Sequence, residues 1–175
     1  MLLFVCHANL CRSPMAERLA LSVHKGSVAS AGTHAWPGEP MHPLARETLN
    51  RRGADAAGFR SRRLTPELMG AAALVLTATR EQRSICVTLA PAALRRTFTL
   101  RQFGRIAAVL AAAPARGLEA ALGQVARARA ELPAVPPADD DLTDPVNGTA
   151  ADFAACAALI EAALEPTLAL LIAAP

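Results

Sequence analysis

Leu2-Leu3-Phe4-Val5-Cys6-His7-Ala8-Asn9-Leu10-Cys11-Arg12-Ser13-Pro14-Met15-Ala16-Glu17-Arg18 is the stretch whose reading decides the fold. It opens on a short continuous apolar run, residues 2–5, as expected of a strand buried on both faces of a parallel sheet. Ser13-Pro14 then starts a helix, because serine is a good N-cap and proline suits the first helical position. Met15, Leu19 and Val23 keep helical spacing until Gly26 stops it. Outward from this unit the same alternation continues. Residues 27–31, 74–77 and 97–100 read as strands. Residues 43–52, a short piece from Thr65-Pro66, and residues 80–89, 101–112, 118–132 and 152–172 read as helices, the last kinked at Pro166. Residues 133–148, rich in Pro and Asp, read as a loop. Strands separated by helices of this length imply a parallel sheet covered on both sides. In such sheets ligands bind beyond the carboxyl ends of the strands, which is where Cys6 to Ser13 fall.

The chain of 175 residues carries formal net charge +3, and 53% of it is hydrophobic, enough for one domain with a real core. Only 3% is aromatic and tyrosine is absent, which argues against nucleic-acid binding by base stacking. Alanine makes up roughly a quarter of the sequence, above ordinary usage. Lys25 is the single lysine, so the basic pI reflects arginine usage and is no argument for a nucleic-acid partner. The N-terminus lacks the basic region of a signal peptide, and Asp152, Glu161, Glu165 and Pro166 interrupt the most apolar run near the C-terminus. No membrane partner is expected. Four cysteines without regular spacing point to a reduced, cytoplasmic setting in which thiols are available for chemistry.

Cys6 and Arg12 form a Cys-x5-Arg-Ser sequence between a strand and a helix N-terminus. The spacing alone is weak: with these cysteine and arginine contents, roughly 0.4 matches arise by chance. Its context is stronger. A loop ending at a helix N-terminus turns backbone N–H groups inward and adds the positive end of the helix dipole, which makes an oxyanion cradle. Arg12 adds a planar fork for two phosphate oxygens, and the same field favours a thiolate at the base of the cradle. The competing reading is a buried structural cysteine with Arg12 on the surface.

The segment LLFVCHANLCRSPMAER, residues 2–18, resembles the active-site loop of the low-molecular-weight protein tyrosine phosphatases. The resemblance continues through Ser30-Ala31-Gly32-Thr33, Gly38-x-Pro40, Ser61-Arg62-x-Leu64, Leu74-Val75-Leu76-Thr77 and Leu100-Arg101-Gln102-Phe103, and ends at Asp144-Pro145. It implies a three-layer α/β/α fold with a four-stranded parallel sheet in the flavodoxin-like order 2-1-3-4. It implies one domain over 1–175, with a helical insertion around 113–137 as the added length before Asp144. By the same resemblance, Cys6 is the nucleophile forming a phosphocysteine, Arg12 binds the phosphate and its transition state, and Asp144 is the general acid and base. His7, Ala8, Asn9, Leu10, Cys11, Arg12 and Ser13 line the phosphate site. Asn9 shapes the cradle, Ser13 stabilises the thiolate and Ser30 supports Asn9 from outside the loop. No metal and no cofactor are implied. From the residues alone, Asp144 is equally a turn or N-cap aspartate in an acidic loop that also holds Asp139, Asp140 and Asp141.

Four departures from the family pattern stand out. Phe59 replaces a histidine, which removes a polar support. Val146 and Asn147 replace two aromatics after the Asp-Pro pair. Ala8 replaces a loop glycine and would be strained if that position required a positive φ. The stretch between Arg101 and Asp144 is longer.

The resemblance implies a phosphotyrosine protein or a small aryl phosphate as substrate. Relatives with an aliphatic residue at the place of Leu10 act on phosphotyrosine, and phosphoarginine phosphatases carry Thr there. His7 and Trp36 match positions at the pocket mouth, where a ring packs on an aryl group; the alternative for Trp36 is a partly buried structural ring. His24 and His42 read as surface residues. Arg51, Arg52, Arg60, Arg62 and Arg63 read either as a positive field at the mouth or as a solvated face. Two other functions stay open. Thioredoxin-coupled arsenate reduction needs a downstream cysteine pair, whereas Cys86 stands alone and Cys156 is distant. A non-catalytic phosphate-binding module would keep the cradle without turnover. Cys86 and Cys156 read as core residues, and Cys11 is placed to pair reversibly with Cys6 under oxidation.

Overall fold

A computed structural model describes residues 1–112 and 117–173. Residues 113–116, the start of the expected insertion, lie outside the described residues. Four parallel strands, β1 (Leu2–Cys6), β2 (Val28–Gly32), β3 (Leu74–Thr77) and β4 (Thr97–Thr99), form one sheet in the order β2-β1-β3-β4. This is the order the resemblance implied. β1 is central and buried along its length, and its register sets Cys6 beside Gly32 and Val5 beside Thr77.

The strands alternate between two cores because successive side chains point to opposite faces. Leu2, Phe4, Leu74 and Leu76 join the larger core with α1 (Arg12–Val23), α2 (Pro43–Asn50), α5 (Leu100–Leu110) and α8 (Ala150–Ala173). Leu3, Val5, Ala29, Ala31 and Val75 join the smaller one with α3 (Pro66–Ala71) and α4 (Arg80–Leu89), through Met69 and Cys86. In α5, Leu100, Phe103, Ile106 and Ala107 are buried, and Phe98 meets Phe103 edge-on at 5.3 Å. Gly104 permits close packing of α5 on α8: a Cβ there would stand 2.7 Å from the Ala163 carbonyl oxygen. α8 is long and apolar enough by length and composition to cross a membrane. Here Phe153, Ala157, Ile160, Leu164 and Leu168 bury one of its faces in the larger core. At its start the Asp152 carboxylate accepts from both Thr149 N–H and Thr149 Oγ, and the helix runs on through Pro166.

Several local expectations are corrected. α1 begins at Arg12, with Cys11 as its N-cap residue and no side-chain cap, because the Ser13 hydroxyl is directed elsewhere. α1 ends at Val23, ahead of Gly26. Leu100 starts α5 with Thr99 as its N-cap, instead of ending β4. A 3-10 turn, Pro91–Arg96, precedes β4, and the loop at 133–148 contains a short helix, α7 (Pro137–Asp140). α6 (Leu118–Glu131) packs through Ala121 and Val125, which are buried, with Leu122 and Ala128 beside them. His42, expected on the surface, is half-buried. It stacks on Phe153 at 4.7 Å, and its Nδ1 accepts from Leu44 N–H at the start of α2. Arg52 ties α2 to α8 through Glu161 and the Ala154 carbonyl, and Arg51 pairs with Glu47 on α2 itself.

Candidate active site

The loop after β1 closes around the Cys6 sulfur. Asn9 N–H donates to Cys6 Sγ at 3.3 Å and Ser13 Oγ donates to it at 2.9 Å. Two donors aimed at one sulfur favour negative charge on it. α1 starts at Arg12, so the unpaired N–H groups of its first turn and its positive dipole end lie at the loop.

Asn9 holds the loop's shape. Its φ of 56° is left-handed, a conformation that Asn tolerates better than most residues. It is fully buried, and every polar atom of its side chain is engaged. Nδ2 donates to Ser13 Oγ at 3.0 Å and to Ser30 Oγ at 2.8 Å, while Oδ1 accepts from Arg62 N–H at 2.8 Å. Ala8 does not have a positive φ, so the strain expected there is absent.

The network continues to a residue that sequence reading passed over. Ser30 Oγ donates to Glu17 Oε2, and Glu17 is buried on α1. Glu17 lies one helical turn beyond Ser13 and thus on the same face, which is the signal that marks it. Phe59 fills core space instead of a polar position, with the Arg18 guanidinium 5.7 Å over its ring. Polar support for Ser30 comes from Glu17, and position 59 supplies none.

Gly32 joins the loop to β2. A Cβ there would stand 2.6 Å from the His7 carbonyl oxygen, a contact only glycine avoids. Thr33 N–H and His34 N–H extend the pairing by donating to the Cys6 and His7 carbonyls. At the rim the exposed His7 and His34 rings stack at 4.6 Å. Trp36 is 81% exposed, which excludes the partly buried structural ring, and its carbonyl accepts from Ser61 Oγ.

Arg12 and Asp144 come together across the chain. The buried Arg12 guanidinium donates through Nη1 to the Leu142 carbonyl at 3.0 Å and through Nη2 to Asp144 Oδ2. Its Nε is buried without a hydrogen-bond partner. Asp144 is therefore no detached turn residue: its carboxylate stands at the cradle. Val146 and Asn147 beside it are exposed.

Three other thiols sit in apolar surroundings. Burial pushes Cys11 up to about 12, with the negative charge of Asp144 and then Cys6 adding to it. Burial likewise pushes Cys86 and Cys156 up to about 12. The ordinary value is 9.0, so below pH 9 these thiols are protonated whether the chain is folded or unfolded, and they do not affect stability. Above it the unfolded chain ionises first, so the folded state loses stability progressively from pH 9 toward pH 12. With tyrosine absent and Lys25 the single lysine, few other side chains titrate there. The urea midpoint should be level from pH 7 to 9 and fall steadily beyond. Equal midpoints at pH 8 and pH 11 would contradict this.

A thiol under convergent donors at the carboxyl end of a central parallel strand, with a buried arginine opening the helix that follows, marks the candidate site at the ligand-binding edge of a flavodoxin-like sheet. Residues 1–127 match the family model described as low molecular weight phosphotyrosine protein phosphatase. The probable low molecular weight protein-tyrosine-phosphatase EpsP of Ralstonia solanacearum is 42% identical over 76 residues. That match takes in 43% of this chain and about half (52%) of the relative's length. The protein-arginine-phosphatase of Geobacillus stearothermophilus is 38% identical over 104 residues, covering 58% of this chain and 70% of the relative. Among solved structures, a YwlE arginine phosphatase, a cysteine-to-serine mutant with a phosphorylated active site serine, superposes with TM-score 0.71. It is 26% identical, and the superposition covers 98% of this chain and 95% of that one. The chain belongs to the low molecular weight phosphotyrosine protein phosphatase family, a family of phosphatase enzymes.

Proposed function

We propose that the protein is a cysteine-dependent phosphomonoesterase acting on phosphotyrosine in protein or on small aryl phosphates. The observation that carries this reading is the convergence of Asn9 N–H and Ser13 Oγ on Cys6 Sγ, with Arg12 spanning to Asp144.

In the first step the Cys6 sulfur attacks phosphorus. The S–P bond forms as the P–O bond to the aryl group breaks, and the Asp144 carboxyl gives its proton to the leaving oxygen. Arg12, with Nε buried and free of a partner, holds the non-bridging oxygens as their charge grows. In the second step water attacks phosphorus and passes its proton to the Asp144 carboxylate. Inorganic phosphate leaves and the thiolate returns. Asn9, Ser13 and Ser30 keep the loop in shape, and His7, Ala8, Leu10 and Cys11 complete its wall. This chemistry calls on no metal or cofactor. The reading includes a cytoplasmic setting and one domain with a helical insertion over 113–137. Trp36 and His7 form the aryl-facing rim.

The similarity to protein-arginine-phosphatases supports a second substrate, phosphoarginine. Leu10 favours phosphotyrosine over it: an aliphatic side chain packs on an aryl ring and offers no hydrogen bond to a guanidino group. A turnover panel of phosphotyrosine peptide, phosphoserine peptide, phosphoarginine and arsenate decides between them. The expected order is phosphotyrosine well above the rest. Preference for phosphoarginine would transfer the assignment to the second reading, and phosphopeptide binding without turnover would overturn both.

A further inference from the structure

Asp144 stands on a loop whose hydrogen bonds to the body of the fold lie on its upstream side, while on its downstream side Pro145 is buried. Downstream, Val146, Asn147 and Gly148 are exposed, and the bonds to Val146 N–H and Gly148 N–H come from Asp144 and Pro145 within the same turn. Upstream, every residue from 138 to 142 is tied to the body of the fold. Arg101 Nη1 on α5 donates to the Ala138 carbonyl at 2.6 Å and to the Asp141 carbonyl at 3.1 Å. One turn further along α5, Arg105 Nη1 donates to the Asp139 carbonyl at 3.2 Å and to the buried Asp140 carboxylate at 2.7 Å. The Asp141 carboxylate accepts from Arg80 N–H at 2.8 Å, at the start of α4, where the helix dipole favours an anion. Leu142 N–H donates to the Ala78 carbonyl just past β3, and the Leu142 carbonyl accepts from Arg12.

We infer that Arg101 and Arg105 are positioning residues for the acid: they clamp the 138–141 backbone to α5 and so set where Asp144 stands against Arg12. The inference rests on the reading of Asp144 as general acid. The geometry is that of a short leash. Three residues extended span at most about 10 Å, so a fixed Asp141 confines Asp144 to the mouth of the cradle. The anchor is firm, since α5 is buried through Phe103 and Ile106 and packed on α8 at Gly104. The two arginines bind carbonyls at the end of α7 that have no partner within that short helix. Placing an acid within hydrogen-bond reach of a leaving oxygen is a matter of tenths of an ångström, and a misplacement of about 1 Å costs on the order of 10²-fold.

The test is the Arg101→Ala/Arg105→Ala double variant, assayed as kcat/KM with phenyl phosphate and with 2,4-dinitrophenyl phosphate. Phenoxide needs a proton to leave and dinitrophenoxide does not. The clamp therefore predicts a loss on the order of 10- to 100-fold with the first substrate and less than about 3-fold with the second. Inhibition by inorganic phosphate should stay within about 3-fold, because Arg12 and the loop keep their places. Equal loss with both substrates, or no loss with either, overturns the inference. Should the double variant fail to fold, Asp140→Asn, which removes the Arg105 ion pair, must show the same split at smaller size or the inference falls. Asp144→Ala runs beside them. If it shows no dependence on the leaving group, the acid assignment fails and the clamp with it; if it does and the clamp variants do not, the clamp alone fails.

Discussion

Cys6→Ser is expected to lower kcat/KM toward aryl phosphates by on the order of 10⁵- to 10⁶-fold, the scale at which loss of a nucleophile removes covalent catalysis. The donors at Cys6 Sγ, Asn9 N–H and Ser13 Oγ, are aimed at the sulfur, where they favour negative charge. A serine hydroxyl under the same donors stays neutral, since two hydrogen bonds do not offset the much greater cost of ionising an alcohol. The cradle itself does not depend on the sulfur. Asn9 remains bound to Ser13, Ser30 and the Arg62 N–H, and Arg12 remains beside Asp144. Inorganic phosphate should therefore still bind within about 3-fold of the parent enzyme, separating binding from chemistry. Turnover by Cys6→Ser within about 10-fold of the parent would exclude the covalent route.

Asp144→Ala is expected to give the second-largest effect, with a leaving-group signature. For phenyl phosphate, kcat/KM should fall on the order of 10²- to 10⁴-fold, the range of general acid catalysis. For 2,4-dinitrophenyl phosphate the fall should be under about 10-fold, because that phenoxide leaves unprotonated. In the proposed second step the same carboxylate is the base for water, so kcat with the activated substrate should drop more than kcat/KM, and phosphoenzyme should accumulate. Losing Asp144 also frees Arg12 Nη2 from its ion pair. Phosphate affinity should accordingly hold or rise, and a matching loss of phosphate affinity would indicate that Asp144 organises the cradle instead of moving protons.

What sequence reading reached and what it missed divide along the range of the interactions. The apolar run at residues 2–5 and the strand at 74–77 are local patterns, and each stands where the pattern put it, while the strand expected over 97–100 stops at Thr99 because Leu100 opens α5. Ser13 shows how a sound local rule fails. Serine before proline is a good N-cap, yet here its hydroxyl serves the Cys6 sulfur and α1 starts one residue earlier without a side-chain cap. Glu17 was legible only through its spacing from Ser13, because its partner Ser30 lies on another element and its burial is invisible in sequence. Arg101 and Arg105 could not be singled out from the other arginines: their partners at 138–141 are more than thirty residues away, and those partners are mostly backbone carbonyls, which carry no sequence signal. Arg52 failed the other way. It sits near Arg60, Arg62 and Arg63 in sequence, but the fold commits it to α8.

The central claim is that phosphate passes through a covalent bond to Cys6. The most direct test mixes Asp144→Ala with 2,4-dinitrophenyl phosphate, quenches within the first turnover, and maps the phosphoryl group by mass spectrometry and by 31P NMR. The account predicts one added phosphoryl group, on the peptide that ends at Arg12, with a sulfur-bound phosphorus resonance, and no such adduct when Cys6→Ser is combined with the same change. A burst of product without phosphoenzyme, or a phosphoryl group on a residue other than Cys6, would contradict it.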